Sequence, residues 1–219
     1  MKKAVILFSG GLDSTLLLAM ALERGLLCHT LSFYYGQRHA IELEAAEAIL
    51  NYYRAKQSLP ILSTTIEIDR SPFSSSLLLN KKAILPENRS LEAIATQGIP
   101  PTYVPARNTL FLAYATAFAE HYSAEEIHIG CNYSDLTGYP DCRPSFISAY
   151  QSLLNCATKQ AVEGAGPKLL TPLSAWDKPR IIQEAKLRNV PIELTWSCYN
   201  PIEQKPCGRC DACFLRKDV

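Results

Sequence analysis

Cys207, Cys210 and Cys213 stand at C-x2-C-x2-C spacing, and Cys198 precedes them across a gap containing Tyr199, Asn200 and Pro201. Four thiolates around one ion make a closed tetrahedral site, the arrangement of structural zinc. Pro206 and Gly208 suit the tight turns that let neighbouring sulfurs converge. Such a site contributes folding free energy, on the order of 10 kcal/mol or more in small zinc peptides. It would pin a tail too short to bury a core of its own. An iron–sulfur cluster also takes four thiolates. A redox-active pair is disfavoured, since that motif usually stands on the first helix of a thioredoxin-like unit. We expect a structural Zn2+ on Cys198, Cys207, Cys210 and Cys213.

The second chemical string is Ser9-Gly10-Gly11-Leu12-Asp13-Ser14, placed where an apolar run hands over to a helical pattern. Backbone N–H groups at a helix N-terminus point outward, and the helix dipole favours anions. Paired glycines let the backbone approach a phosphate without a Cβ in the way. Ser9, Ser14 and Thr15 add hydroxyl donors. Neither a Walker A sequence nor G-x-G-x-x-G spacing is present. Asp13, a carboxylate in a phosphate site, makes sense as a holder of Mg2+. The plainer alternative is an ordinary βα turn in which Asp13 or Ser14 caps the helix.

These strings need strands and helices to hold them. Ala4–Phe8, Leu27–Phe33, Ile61–Ile68, Glu126–Cys131 and the short Leu169–Leu170 read as strands, the first as one buried on both faces. Helical patterns fill Ser14 to Arg24, His39 to about Lys56, Arg107–Tyr122, Pro144 to about Val162, and a last helix opened by Asp177 and Pro179 that runs to about Arg188. On the second helix, Ile41, Ala45, Ala48, Ile49 and Tyr52 should face inward, with Glu42, Glu44 and Glu47 outside. Asp69 to Tyr103 reads as a long excursion with one short helix near Leu91–Ala95. Alternating β and α elements predict a Rossmann-like parallel sheet with helices on both faces. Its ligand belongs at the carboxyl ends of the strands. Three polar strings should gather there with the glycine loop: Tyr35 to His39, Val104 to Asn108, and Gly130 to Arg143.

Composition narrows the function. Lys+Arg 22 against Asp+Glu 21 leaves a net charge of +1 over 219 residues, without the basic excess of a generic nucleic-acid binder. Hydrophobic residues at 47% and charged ones at 20% exclude a disordered chain. The apolar run Ala4–Phe8 is shorter than the ~7–15 residues of a secretory core, and no stretch approaches the ~20 of a membrane span. A cytoplasmic protein without membrane contact is expected. There its eight cysteines are thiols or ligands rather than bridges. Cys28 and Cys131 should be packed hydrophobes, and Cys142 a small residue in a tight turn rather than a nucleophile.

The S-G-G-x-D-S loop resembles that of the ATP pyrophosphatase (PP-loop) superfamily, which cleaves ATP between its α and β phosphates and adenylates a substrate oxygen. With the three middle strings and the cysteine tail, the chain from its first strand to Cys213 resembles the 7-cyano-7-deazaguanine synthases of the queuosine and archaeosine pathways. Cys131, Tyr133-Ser134 and Leu136-Thr137 depart from that pattern in a minor way. The resemblance implies a PP-loop ATPase-like α/β domain over residues 1–190, with a zinc-binding segment, 191–219, packed on it. It implies conversion of 7-carboxy-7-deazaguanine and ammonia to the nitrile through an amide, with ATP as co-substrate and Mg2+ accompanying it.

Roles then follow as expectations. Phe8, Ser9, Gly10, Gly11, Leu12, Asp13, Ser14 and Thr15 hold ATP, with Ser32 and Phe33 near the adenosine. Asp13, Arg107 and Arg143 are the expected catalytic residues, the two guanidinium groups pairing with the substrate carboxylate or the α-phosphate. Gln37, Arg38, Asn108, Asp135 and Asp141 are expected substrate contacts, either aspartate suiting the guanine-like N1–H and amine. His39 is left between a residue at a helix N-terminus and a general base. A homodimer is expected, with ammonia drawn from solution. The rivals are a tRNA-modifying PP-loop enzyme, a relative that attaches a deazaguanine-like group to protein or DNA, and a zinc-ribbon interaction module. Near-neutral charge favours a free base over tRNA.

Overall fold

The alternation of apolar residues in the first strand sets the layers. In the computed structural model, which describes residues 1–80, 82–96 and 98–216, β1 (Lys3–Leu7) sends Ala4 and Ile6, followed by Phe8, into one core and Val5 and Leu7 into a second. This is the period-2 signature of a strand covered on both sides. The first core is closed by α1 (Leu12–Glu23), which follows directly. β2 (Leu27–Tyr34) lies parallel to β1, with Ala4 opposite Cys28 and Ile6 opposite Thr30. The chain then passes through α2 (Glu42–Lys56) to β3 (Leu62–Glu67), a half-exposed edge strand.

A long excursion follows, containing a 3-10 turn at Ser71–Phe73 and α3 (Leu91–Thr96). Phe73, Leu78 and Leu85 anchor it in the second core. α4 (Arg107–Tyr122) covers that core and leads to β4 (Glu126–His128), which pairs parallel with β1 on the side away from β2. After α5 (Asp135–Gly138), α6 (Pro144–Ala157) and α7 (Lys159–Val162), β5 (Lys168–Leu170) completes the sheet. α8 (Lys178–Leu187) returns to the first core through Ile181, Ile182 and Ala185, and α9 (Asp211–Leu215) lies within the cysteine segment. The sheet order is β3-β2-β1-β4-β5, all parallel. The direction of winding therefore reverses between β1 and β4. Such a switch point opens a crevice at the carboxyl ends of the two strands.

Several boundaries differ from the sequence reading. α2 starts at Glu42 rather than His39, and its buried stripe is Ala46, Ile49, Leu50 and Tyr53. Ala48 faces solvent. The true i, i+3, i+4, i+7 register thus lies about one residue from the expected one. The expected helix from Pro144 breaks at Thr158, whose extended backbone and hydroxyl, accepting from Ala161 N–H, start α7 afresh. Cys28 and Cys131 are buried among apolar side chains, as expected of packed hydrophobes. Among the described residues no helix is long and apolar enough to cross a membrane.

Candidate active site at the β1–β4 switch point

Gly10 fixes how the loop leaves β1. Its φ of +78° lies in the left-handed region, and a Cβ there would stand 2.5 Å from the Glu42 carbonyl oxygen and 2.6 Å from the Ala46 nitrogen. Only glycine lets the loop pass this close to α2. The turn is then cross-braced. The Ser14 hydroxyl donates to the Gly11 carbonyl (3.1 Å) and accepts from Ser9 N–H (3.2 Å), while the Thr15 hydroxyl donates to the same Gly11 oxygen (2.7 Å). No side-chain cap closes the first turn of α1. Its leading N–H groups are thus left for an anion.

The backbone of Asp13 and Ser14 lies against Gly130, two residues past β4, and the three line a cavity of about 300 Å³. Ten residues expected in the site line it: Phe8, Ser9, Gly11, Leu12, Asp13, Ser14, Phe33, Arg107, Asn108 and Asp135. Gly10 turns toward α2 instead, and Thr15 and Ser32 brace the loop from beneath, the Ser32 hydroxyl donating to the Phe8 carbonyl (2.7 Å). Gln37 is buried behind the wall, bonded to Tyr35 N–H and the Phe33 carbonyl. Arg38 donates to the Ala83 carbonyl (2.9 Å) and Asn200 Oδ1 (2.7 Å). Asp141 accepts from Asn108 N–H (3.0 Å), holding the start of α4. Arg143 is exposed and donates to the Leu136 and Thr137 carbonyls. Cys142 lies in a 3-10 turn, its sulfur accepting from Asn108 Nδ2 (3.2 Å).

The structure adds groups that sequence reasoning passed over. Lys178, the first residue of α8, places its ammonium 2.7 and 3.0 Å from the two Asp13 oxygens. Asn132 Nδ2 donates to Asp13 Oδ2 at 2.8 Å. Glu42, expected on the outer face of α2, instead lines the cavity, because the helix begins there and its first turn abuts the glycine loop. Burial pushes its carboxyl up to about 7, against the pull of the Gln37 hydrogen bond and the Arg107 charge. Burial also raises Asp135 to about 6, helped by the charge of Asp13. Tyr35, Tyr139 and Tyr199 complete the polar end, where Tyr35 burial raises the phenol and Arg107 reaches its hydroxyl at 3.5 Å.

The cysteine segment forms part of the same wall. Trp196, Ser197 and Tyr199 line the cavity, and Trp196 N–H donates to the Gly10 carbonyl (2.9 Å). Asn88 N–H donates to the Arg209 carbonyl (2.8 Å) and Arg89 pairs with Asp211, so the excursion is docked on this segment. The sulfurs of Cys198, Cys207, Cys210 and Cys213 all lie within 4.8 Å of one another, and the group can hold a metal ion. Main-chain N–H groups of Asn200 and Cys207 donate to the Cys198 sulfur at 3.3 and 3.2 Å, which suits thiolate charge.

Sheet order, loop and cavity together define an α/β protein of the PP-loop ATPase-like class. Solved structures agree on the fold. The U34-tRNA thiolase NcsA from Methanococcus maripaludis, with its 4Fe-4S cluster, matches at a TM-score of 0.51 and 13% identity, over 94% of this chain and 62% of that one. NMN synthetase from Francisella tularensis matches at 0.50 and 17%, over 94% and 70%. The family model of queuosine biosynthesis protein QueC matches residues 3–219, and the chain belongs to that family. The 7-cyano-7-deazaguanine synthase of Pseudomonas aeruginosa is 47% identical over 218 residues, which span 99% of this chain and 92% of the relative.

Proposed function

We propose that this chain converts 7-carboxy-7-deazaguanine and ammonia to 7-cyano-7-deazaguanine at the expense of ATP. The observation that carries the reading is the convergence, at one switch-point cavity, of an uncapped helix N-terminus, Lys178 beside Asp13, and Arg107. A carboxylate is a poor electrophile and its oxygen a poor leaving group. Transfer of AMP to that oxygen releases pyrophosphate and makes an anhydride that ammonia opens to the amide. A second adenylation, now of the amide oxygen, lets AMP and a proton leave to give the nitrile. The N–H groups at the start of α1 and the Lys178 ammonium suit the pyrophosphate as charge moves onto it.

Arg107 suits the α-phosphate or the substrate carboxylate, and Asp135 the guanine-like N1–H and amine. Arg143 is not among the residues that line the cavity, so its expected catalytic role would require its guanidinium to leave the Leu136 and Thr137 carbonyls. Mg2+ characteristically uses one or two carboxylates plus substrate phosphates; Asp13, which here pairs with Lys178, is the carboxylate that would hold it, and the ion would supply neutralisation of phosphate charge. For the cysteine group we propose zinc. Tetrahedral Zn–S bonds of ~2.3 Å imply sulfurs ~3.8 Å apart, close to the 3.9 Å between Cys207 and Cys213. In a cubane each thiolate binds a different iron and the sulfurs stand wider. Changing Asp13 to Asn tests the reading. AMP formation should fall sharply with the fold intact, and an unaffected rate would remove Asp13 from the mechanism.

A further inference from the structure

Two of the three reactants in this scheme are anions, and Arg107 and Lys178 are placed for them. Glu42 is placed for something else. Its side chain is 15% exposed and lines the cavity. Oε1 accepts from Gln37 Nε2 (3.1 Å) and lies 3.6 Å from His39 Nε2. Gln37 is itself locked, taking Tyr35 N–H at 2.8 Å and giving its amide to the Phe33 carbonyl at 2.9 Å. Oε2 has no protein partner among the described residues. His39 is buried, and its Nδ1 has no partner either. Burial first, then the Arg107 and Arg38 charges, holds His39 down at about 3, so it stays neutral. The groups that face Glu42 are thus neutral His39, the Tyr35 phenol and, more distantly, the Arg107 cation.

In its ionised form, a fixed carboxylate with one free oxygen repels ATP and a substrate carboxylate by several kcal/mol at contact in a partly buried site, on the order of 4 kcal/mol at 4 Å. It attracts a small cation that can donate hydrogen bonds. The third reactant is such a cation in solution, because an ammonium ion, like other simple amines, is almost wholly protonated at neutral pH. It is not a nucleophile until it loses a proton.

We propose that Glu42 captures ammonium from solution and takes its proton, supplying ammonia to the adenylated carboxylate. This rests on the synthase reading above. In the step, an N–H bond of ammonium breaks and the proton passes to Glu42 Oε2. The freed lone pair forms the C–N bond as the C–O bond to AMP breaks. The second proton leaves with the AMP phosphate, and Glu42 returns its own to solvent. A Glu42 carboxyl that titrates near 7 is matched to such a transfer at neutral pH.

The test is Glu42→Gln, assayed with MgATP under varied ammonium chloride between pH 6.5 and 9. One arm starts from 7-carboxy-7-deazaguanine and the other from the corresponding amide, which needs no ammonia. The expected result is a rise of tenfold or more in the KM for total ammonium. That KM should then fall about tenfold per pH unit in the variant up to about pH 8, and less steeply above it, as free ammonia increases, with KM for the deazapurine and the amide-to-nitrile rate unchanged. An unchanged ammonium KM overturns the assignment. So does equal loss in both arms with a raised deazapurine KM, which would make Glu42 a contact of the guanine-like edge. A wild-type enzyme that makes no nitrile from either start overturns the synthase reading, and the role of Glu42 with it.

Discussion

Replacing Gly10 with alanine probes the packing that shapes the site. Two costs add. An L-residue at φ +78° loses about 1–2 kcal/mol relative to glycine. The new methyl would also stand 2.5, 2.6 and 3.0 Å from the Glu42 oxygen and the Ala46 nitrogen and Cα. All three are main-chain atoms of α2, so nothing can swing aside and the helix start must move by about an ångström. Overpacking of this kind costs typically ~1–3 kcal/mol. The total is about 3 kcal/mol, or a Tm lower by ~6–12 °C for a domain of this size. Gly25→Ala is the control. Its φ is +70°, but a Cβ there meets nothing within 4 Å, so it carries the conformational cost alone. Thermal unfolding of the two variants isolates the clash. If Gly10→Ala loses no more stability than Gly25→Ala, the close approach of loop and helix is wrong. Because Glu42 sits at the displaced turn, Gly10→Ala should also lose nitrile formation, while Gly25→Ala keeps it.

Other consequences are as direct. Lys178→Met should cut AMP formation by on the order of 10²-fold, as loss of one preorganised charge does elsewhere; a rate within twofold of wild type would remove Lys178 from the chemistry. Cys207→Ser should lose stoichiometric zinc by elemental analysis and unfold at lower temperature, and retained zinc would contradict the proposed ligand set. Burial, reinforced by His121, depresses His29, so the unfolded chain takes up a proton below about pH 6.5 that the folded chain refuses. Its contribution is present above that pH and is lost as pH falls, by at most ~1.4 kcal/mol per pH unit. Glu42, titrating near 7 when folded against an ordinary 4.5, works in the opposite direction between those values. Urea unfolding of His29→Gln at pH 7, 6 and 5 should therefore show a shallower acid loss than wild type, and an identical slope would refute the assignment.

The glycine loop, the cysteine group and the alternation of strands and helices were legible because each is local. Ser9 to Ser14 are contiguous, three of the four thiols lie within seven residues, and the two-sided core of β1 is written in five consecutive positions. What was missed depends on contacts distant in sequence. Lys178 meets Asp13 only because α8 returns to the first core, bringing the start of that helix over the loop. Nothing around a lone lysine between Asp177 and Pro179 signals this. A helical wheel places Glu42 outside with Glu44 and Glu47. A wheel describes the faces of a helix but not its end, and Glu42 sits at the end where α2 meets the loop and the cavity. Arg143 was the reverse case, its charge suggesting a role at the site while α5 carbonyl groups hold it outside the lining.

The most direct test of the central claim is to incubate the purified protein with MgATP, ammonium chloride and 7-carboxy-7-deazaguanine and to follow products by mass. The account predicts the nitrile, an amide that rises and then falls, pyrophosphate released at each adenylation, and AMP released at the amide-forming and nitrile-forming steps that follow. A protein that releases neither AMP nor pyrophosphate, and forms no nitrile, contradicts it.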